Sequence, residues 1–304
     1  MKIPNPDPHP AKGKVLPKSS NMMVELPNPF IRAAIALRTG AFVVLEPIDF
    51  AARLLNGKRH WPSLALRRYA GPLANLEASG AEFVAYLKLL CGANSESQIL
   101  DIGCGFGLVA LALDSYLAPP GKYVGLDINA AAIRWATRHV SSRMPNFSFI
   151  HLDIKNDAYN PNGLQSADDL VLPMADASFD IVLLKSVFTH LRPREVTNYL
   201  HEIARLLGPR GVCLSTFFLL NEAQASLHSR GLNSLDFRFG ADAFRYAFRD
   251  LPELAIGFAE EAMRAMAAEA HLAVSEIRYG NWSGRPDGLS YQDVVLFTPI
   301  ASSD

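Results

Sequence analysis

The sequence predicts an α/β protein built on a doubly wound, mostly parallel sheet, with a helical cap at its N-terminus. Three observations carry this. Residues 79–220 alternate helically spaced apolar residues with short apolar runs, the pattern of strands joined by crossover helices. Those runs lack strict alternation, as expected of strands covered on both faces. The first run, Gln98–Ile102, opens into a turn with glycine at every second position, which ends a strand and starts a helix.

The elements follow in order. Residues 1–28 are rich in Pro and Lys, lack the apolar core of a secretory signal, and are expected to form a flexible leader. Residues 29–78 are expected to form the cap. Their most apolar stretch, Phe30 to Leu55, is interrupted by Arg32, Arg38, Glu46, Asp49 and Arg53 and broken by Gly40 and Pro47, so it should not span a bilayer. Helical spacing at Phe83, Tyr86, Leu87 and Leu90 predicts a helix over Gly80–Leu90. After the glycine turn, a helix is expected over Leu108–Leu117, stopped by Pro119-Pro120-Gly121. Tyr123–Leu126 reads as the second strand, Ala130–Val140 as a helix capped by Asn129, and Phe147–Leu152 as the third strand. A polar loop from Asp153 to about Ser178 precedes the fourth strand, Phe179–Leu184. A helix over Arg194–Leu207 should end at Gly208-Pro209, before a fifth strand over Gly211–Leu219. A helix over Glu260–His271 and paired strands over Ala273–Tyr279 and Tyr291–Thr298 close the chain.

Composition narrows the function classes. Hydrophobic residues make up 49% and charged residues 19% of 304, a globular balance. The formal net charge of -1, from 29 basic and 30 acidic residues, offers no bulk attraction for nucleic acid. Cys91, Cys104 and Cys213 form neither a CxxC pair nor a zinc pattern, so no metal site is expected, and the thiols fit a reducing cytoplasm.

The segment Ile99-Leu100-Asp101-Ile102-Gly103-Cys104-Gly105-Phe106-Gly107 holds the main functional signal. A dinucleotide fingerprint is GxGxxG; the frame from Gly103 fails it, whereas Gly105-x-Gly107-x-x-Ala110 fits the variant ending in alanine. A nicotinamide-dependent oxidoreductase therefore stays open. The acid inside the motif, Asp101-x-Gly103-x-Gly105-x-Gly107, resembles the first motif of class I S-adenosylmethionine-dependent methyltransferases of the small-molecule type. The second strand then ends in Asp127, matching the acid that in that family binds the cofactor ribose. The stretch Leu172–Asp180 and the fourth-strand end Lys185-Ser186-Val187-Phe188-Thr189-His190-Leu191 also look like the family. The resemblance covers about residues 79–220.

This resemblance implies a seven-stranded Rossmann-like methyltransferase fold over residues 79–304 with S-adenosyl-L-methionine as cofactor. It places Asp101, Gly103, Cys104, Gly105 and Gly107 around the methionine portion, and Asp127 with Ile128 at the ribose. Asp153 would meet the adenine amine with Ile154 against the ring, Asp168 and Asp169 being alternatives to Asp153. Lys185 is a further cofactor contact. A late antiparallel strand pair completes the sheet in the family.

Methyl transfer to a hydroxyl benefits from a general base. His190, just past the fourth strand, is the first candidate and Lys185 the second. Residues 221–252 interleave Phe237, Phe239, Phe244, Tyr246 and Phe248 with Arg238, Arg245 and Arg249, and are expected to form a substrate lid. Phe244 and Tyr246 in it, and Trp282 and Arg285 beyond it, are candidate acceptor contacts. The expected acceptor is a small molecule, a sugar or a lipid-linked compound, with oxygen favoured; a non-catalytic cofactor-binding protein is the remaining alternative. Nucleic acid is not expected, since no Asn/Asp-Pro-Pro-Tyr-like motif follows the fourth strand. Arg53, Lys58, Arg59, His60, Arg67 and Arg68 around Trp61 could form a peripheral membrane contact, but packing of this segment on the core is favoured. The oligomeric state is left open.

Overall fold

The computed structural model describes residues 28–59, 61–67 and 75–300. The expected leader lies outside the described residues except for Asn28, which opens the first helix.

The cap consists of α1 (Asn28–Leu55) and α2 (Leu64–Arg67). α3 (Leu76–Leu90) starts earlier than its apolar spacing predicted, because the Asn75 side chain accepts from the Ala78 N–H and caps the added turn. The core then alternates β1 (Gln98–Ile102), α4 (Leu108–Ala112), β2 (Lys122–Asp127), α5 (Ala130–Ala136), β3 (Phe147–His151), β4 (Phe179–Leu184), α6 (Pro193–Leu206) and β5 (Leu207–Phe217). Next come β6 (Leu219–Leu220), α7 (Glu222–Ser229), β7 (Phe239–Ala241), β8 (Phe244–Tyr246) and β9 (Ile256–Ala259), then α8 (Glu260–Glu269), β10 (Leu272–Arg278) and β11 (Asp293–Pro299).

The main sheet has seven strands in the order β10-β11-β5-β4-β1-β2-β3. β1 to β5 are parallel, and β11 runs antiparallel to both β5 and β10. Successive residues feed opposite faces. Ile99, Ile181 and Leu183 pack against α3, α4 and α5. Leu100, Val182 and Leu184 pack against α6 and α8. Burial on both faces explains the unbroken apolar runs.

Two further stretches depart from expectation. α4 is one short turn, followed by turns rather than further helix, with Ser115 at φ 64°. β5 begins at Leu207 and runs through Gly208-Pro209, which had read as a breaker. The register with β4 shifts between Phe179↔Leu207 and Ile181↔Val212, so the extra residues around Gly-Pro bulge out without ending the strand. The expected lid over residues 221–252 holds α7 and the hairpin β7–β8, which joins β9 and β6 in a second sheet of order β6-β9-β8-β7. Behind it, Phe218, Phe237, Ala255 and Trp282 form a small apolar cluster.

Candidate functional site

The site forms where the carboxyl ends of β1, β2 and β4 meet, as expected of an open α/β sheet. The turn after β1 is tied to β2: the Gly103 and Cys104 N–H groups both donate to the Leu126 carbonyl, at 2.7 and 2.9 Å. Gly105 has φ 58°, and a Cβ there would meet no atom within 4 Å, so the backbone opens onto free space.

Asp127 ends β2 with both carboxylate oxygens engaged once. The Gly105 N–H donates to Oδ2 and the Asn129 N–H to Oδ1, each at 2.7 Å. Burial raises its pKa, and these N–H donors oppose the rise. Each oxygen keeps capacity for a further donor.

Asp101 is buried beneath the turn. Its Oδ2 accepts from the Tyr123 hydroxyl, while its buried Oδ1 has no hydrogen-bond partner. Burial pushes this carboxyl up to about 7, against the Tyr123 bond and the charge of Lys185. The Lys185 ammonium donates to Ser79 Oγ at 3.0 Å and lies 5.0 Å from the Phe83 ring centre. Burial lowers its pKa, and the charges of Asp101 and Glu82 oppose this.

The opposite wall is assembled from distant segments. His190 lies in a short helical turn after β4, and its Nδ1 is 2.8 Å from the Glu253 carbonyl oxygen. A carbonyl only accepts, so Nδ1 carries the proton and Nε2 keeps its lone pair. Burial lowers the His190 pKa and so favours the neutral ring. The Tyr159 hydroxyl lies 3.4 Å from both ring nitrogens, with the two rings in an edge-on arrangement. Asn156 holds this wall together: its Oδ1 accepts from the Ala158 and Tyr159 N–H groups, and its Nδ2 donates to the His190 carbonyl.

Between these walls lies a cavity of about 280 Å³, lined among others by Asp101, Asp127, Ile154, Tyr159, Lys185 and His190. Of the expected residues, Gly103, Cys104, Gly105 and Ile128 also line it. Gly107 does not; it caps α4 at φ 83°, and a Cβ there would come 3.1 Å from the Phe149 ring. Asp153 does not either. Its carbonyl accepts from Leu164 and Gln165, and its Oδ1 faces the Asn160 amide at 3.3 Å, so it closes the loop that follows β3. Asp168 lines a separate groove between α6 and α8.

The four expected acceptor contacts lie away from the cavity. Trp282 is corrected to a core residue: it is fully buried, donates from Nε1 to Asp293 Oδ2 at 2.8 Å, and packs edge-on against Phe218 and Phe237. Arg285 is held by Ser283 and Asn221 and sits 4.1 Å from the Tyr279 ring centre, so its charge points elsewhere. Phe244 lines the separate groove between α6 and α8, and Tyr246 pairs with it edge-on. The residues not foreseen are Asn156 and Tyr159, which fall in the stretch read only as a polar loop after the third strand. Trp61, on the cap, packs with Leu76, Phe106 and Leu108, and Leu66 of α2 lines the cavity.

Residues 99–211 match the family described as "Methyltransferase domain". A tRNA N(3)-cytidine methyltransferase of Gallus gallus is 32% identical over 127 residues, covering 40% of this chain and 30% of that protein. A demethylmenaquinone methyltransferase of Lactiplantibacillus plantarum is 29% identical over 124 residues, covering 40% of this chain and 46% of that protein. The chain thus spans less than half the length of these curated relatives. Among solved structures, the 1,6-didemethyltoxoflavin-N1-methyltransferase of Burkholderia thailandensis, with its substrate and S-adenosylhomocysteine bound, aligns over 91% of this chain and 92% of that one. The TM-score is 0.48 and the identity 19%.

Proposed function

We propose that this chain is a class I S-adenosylmethionine-dependent methyltransferase, a reading supported by the family match over residues 99–211 and by the sheet topology, and that it methylates an oxygen of a small-molecule acceptor held between the glycine turn and His190. The nicotinamide reading gives way to this one. A dinucleotide-binding sheet continues in parallel beyond its fifth strand, whereas here the antiparallel β11 follows β5.

The supporting observation is that one cavity holds an unpartnered Asp101 oxygen, an Asp127 carboxylate with capacity on both oxygens, and a neutral histidine across from them. S-adenosylmethionine fits this set: an ammonium group suits Asp101 Oδ1, two ribose hydroxyls suit Asp127, and a planar base suits the apolar side chain of Ile154. Asp153, in this reading, shapes the loop and leaves the base to Ile154. When bound, the cofactor supplies an activated methyl group. The chain's own residues align the acceptor and handle its proton.

His190 acts as the base. An acceptor hydroxyl donates to Nε2, and the proton passes to that nitrogen as the oxygen becomes nucleophilic. Burial disfavours the imidazolium, so after transfer Nε2 gives the proton up to water and the neutral ring is restored. The Glu253 carbonyl fixes the tautomer, and the Tyr159 hydroxyl lies beside the ring, 3.4 Å from each nitrogen. Lys185, held by Ser79 and by the field of Asp101 and Glu82, is assigned to the cofactor side. The free thiols of Cys91, Cys104 and Cys213 are compatible with a reducing compartment, and a cytoplasmic location is part of this proposal.

The test is formation of S-adenosylhomocysteine with a panel of hydroxyl-, amine- and thiol-bearing small molecules. Turnover of hydroxyl acceptors that depends on His190 supports the reading. Turnover of amines alone, indifferent to His190, overturns the oxygen assignment.

A further inference from the structure

The described part of α1 turns its charged face inward and its apolar face out. Glu46, Asp49 and Arg53 occupy one side of the helix. Arg53 donates to Glu46, to Asp49 and to the Trp61 carbonyl, at 2.7, 2.7 and 2.8 Å. Glu46 also accepts from the Leu64 N–H at 2.7 Å, and Asp49 pairs with Arg67 of α2. The polar side of α1 is therefore consumed in holding the cap together.

The other side carries Val44, Ile48 and Leu55, at helical spacing and 76%, 68% and 86% exposed. Ala41, Leu45, Ala51 and Ala52 are exposed beside them. An exposed row of this kind on an ordinary surface helix would be polar. A row of large apolar side chains on the solvent side, with the helix's charges turned inward, reverses the usual arrangement and points to an apolar contact.

Charge indicates what that is. The only acids between residues 40 and 55 are Glu46 and Asp49, and both are neutralised on the inward side. Arg32 and Arg38 precede this stretch in the sequence and Arg59 follows it, while Lys58 beside Arg59 is paired with Glu77 at 2.8 Å. An apolar helix face flanked by cations, with no outward acid, matches the surface of an anionic bilayer. A second copy of the chain fits less well. One helix face of this length offers roughly 22 Å by 10 Å, far below the roughly 800 Å² per partner of a stable dimer.

We infer that the outward face of α1, centred on Val44, Ile48 and Leu55, docks on an anionic lipid surface. The contact adjoins the site: α1 grips α2 through Asp49 and Arg67, and Leu66 of α2 lines the cavity. Docking sets the cavity beside the bilayer, where an acceptor with an apolar tail resides.

The experiment is flotation of the full chain with vesicles of equal parts phosphatidylcholine and phosphatidylserine, and with pure phosphatidylcholine, at low and high salt. The intact protein is expected to float with the anionic vesicles, less so at high salt. The exposed-site variant Ile48→Glu/Leu55→Glu, checked by circular dichroism and cofactor binding, should lose binding by at least about tenfold. Absence of binding by the folded intact protein overturns the inference. So does equal binding by the folded variant. A dimer that the same variant dissociates, in a protein that ignores vesicles, assigns the face to a second copy and overturns it too.

Discussion

The two walls of the cavity are built in different ways. The wall made by Asp101, the glycine turn and Asp127 comes from two adjacent strands and the turns that leave them, and its bonds are largely backbone to carboxylate. The wall made by Tyr159, His190 and Glu253 joins a loop after β3, a turn after β4 and the approach to β9, with side chains bridging long sequence separations. The first wall is compatible with any acceptor. The second is where we propose an acceptor is selected, because it is assembled from loops outside the main sheet. Substitutions that affect only one wall at a time test this division.

The largest effect is expected at His190. His190→Gln keeps a polar side chain but removes the base, and turnover of a hydroxyl acceptor should fall by about 10²- to 10⁴-fold. Cofactor affinity measured alongside should change by less than about threefold. A parallel loss of cofactor affinity would show that the walls are not separable. The acid limb of the pH–rate profile should fall below the ordinary histidine range near 6.5, since burial lowers the pKa of this imidazole.

Trp282 tests the support behind the second wall. Trp282→Ala should destabilise the protein by about 3–5 kcal/mol through the cavity left against Phe218 and Phe237. Denaturant unfolding measures this. A change near zero would mean that the ring is not packed as described.

Asp101 tests the first wall through pH. Its carboxyl is raised to about 7 in the folded protein, so between the ordinary aspartate range and that value the folded state holds a proton that the unfolded chain has lost. Its contribution to stability is therefore complete at low pH and declines as pH rises from about 4 to about 7. The melting temperature of the ligand-free protein, compared with Asp101→Asn over this range, reads that decline. The two proteins should differ in slope below about pH 7 and run parallel above it. Parallel curves throughout would contradict the shift.

The smallest effect is expected at Tyr159. Tyr159→Phe removes one long, neutral contact to His190 and should reduce turnover by less than about tenfold. A loss as large as that of His190→Gln would make the tyrosine, rather than the histidine, the group that carries the proton.

The same contrast explains what could be read from the residues alone. β1 to β4 were legible because their apolar runs are bounded by glycine, proline and polar caps such as Asn129. Asp101, Gly105 and Asp127 were singled out by a motif resemblance, and the structure brings them to one cavity because they lie at the ends of adjacent strands or in the turn between. β5 was misjudged at its start, since Gly208-Pro209 breaks a helix locally but is tolerated as a bulge when neighbouring strands supply the pairing. Trp282 and Arg285 looked available in sequence and are not, because Asp293, Ser283 and Asn221 reach them from elsewhere in the chain. Tyr159 and Asn156 looked like loop residues, and only the packing of that loop on His190 brings them to the cavity. The outward apolar face of α1 was also hidden: its charges read as interruptions, and nothing local indicates that they point inward.

The central claim is that Asp127 and the glycine turn hold S-adenosylmethionine. Calorimetric titration of the intact protein and of Asp127→Ala with S-adenosylmethionine and S-adenosylhomocysteine tests it most directly. Loss of two charge-assisted hydrogen bonds predicts binding weakened by at least about 10²-fold in a variant that still folds. Equal affinity in the two proteins, or no binding to the intact one, would contradict it.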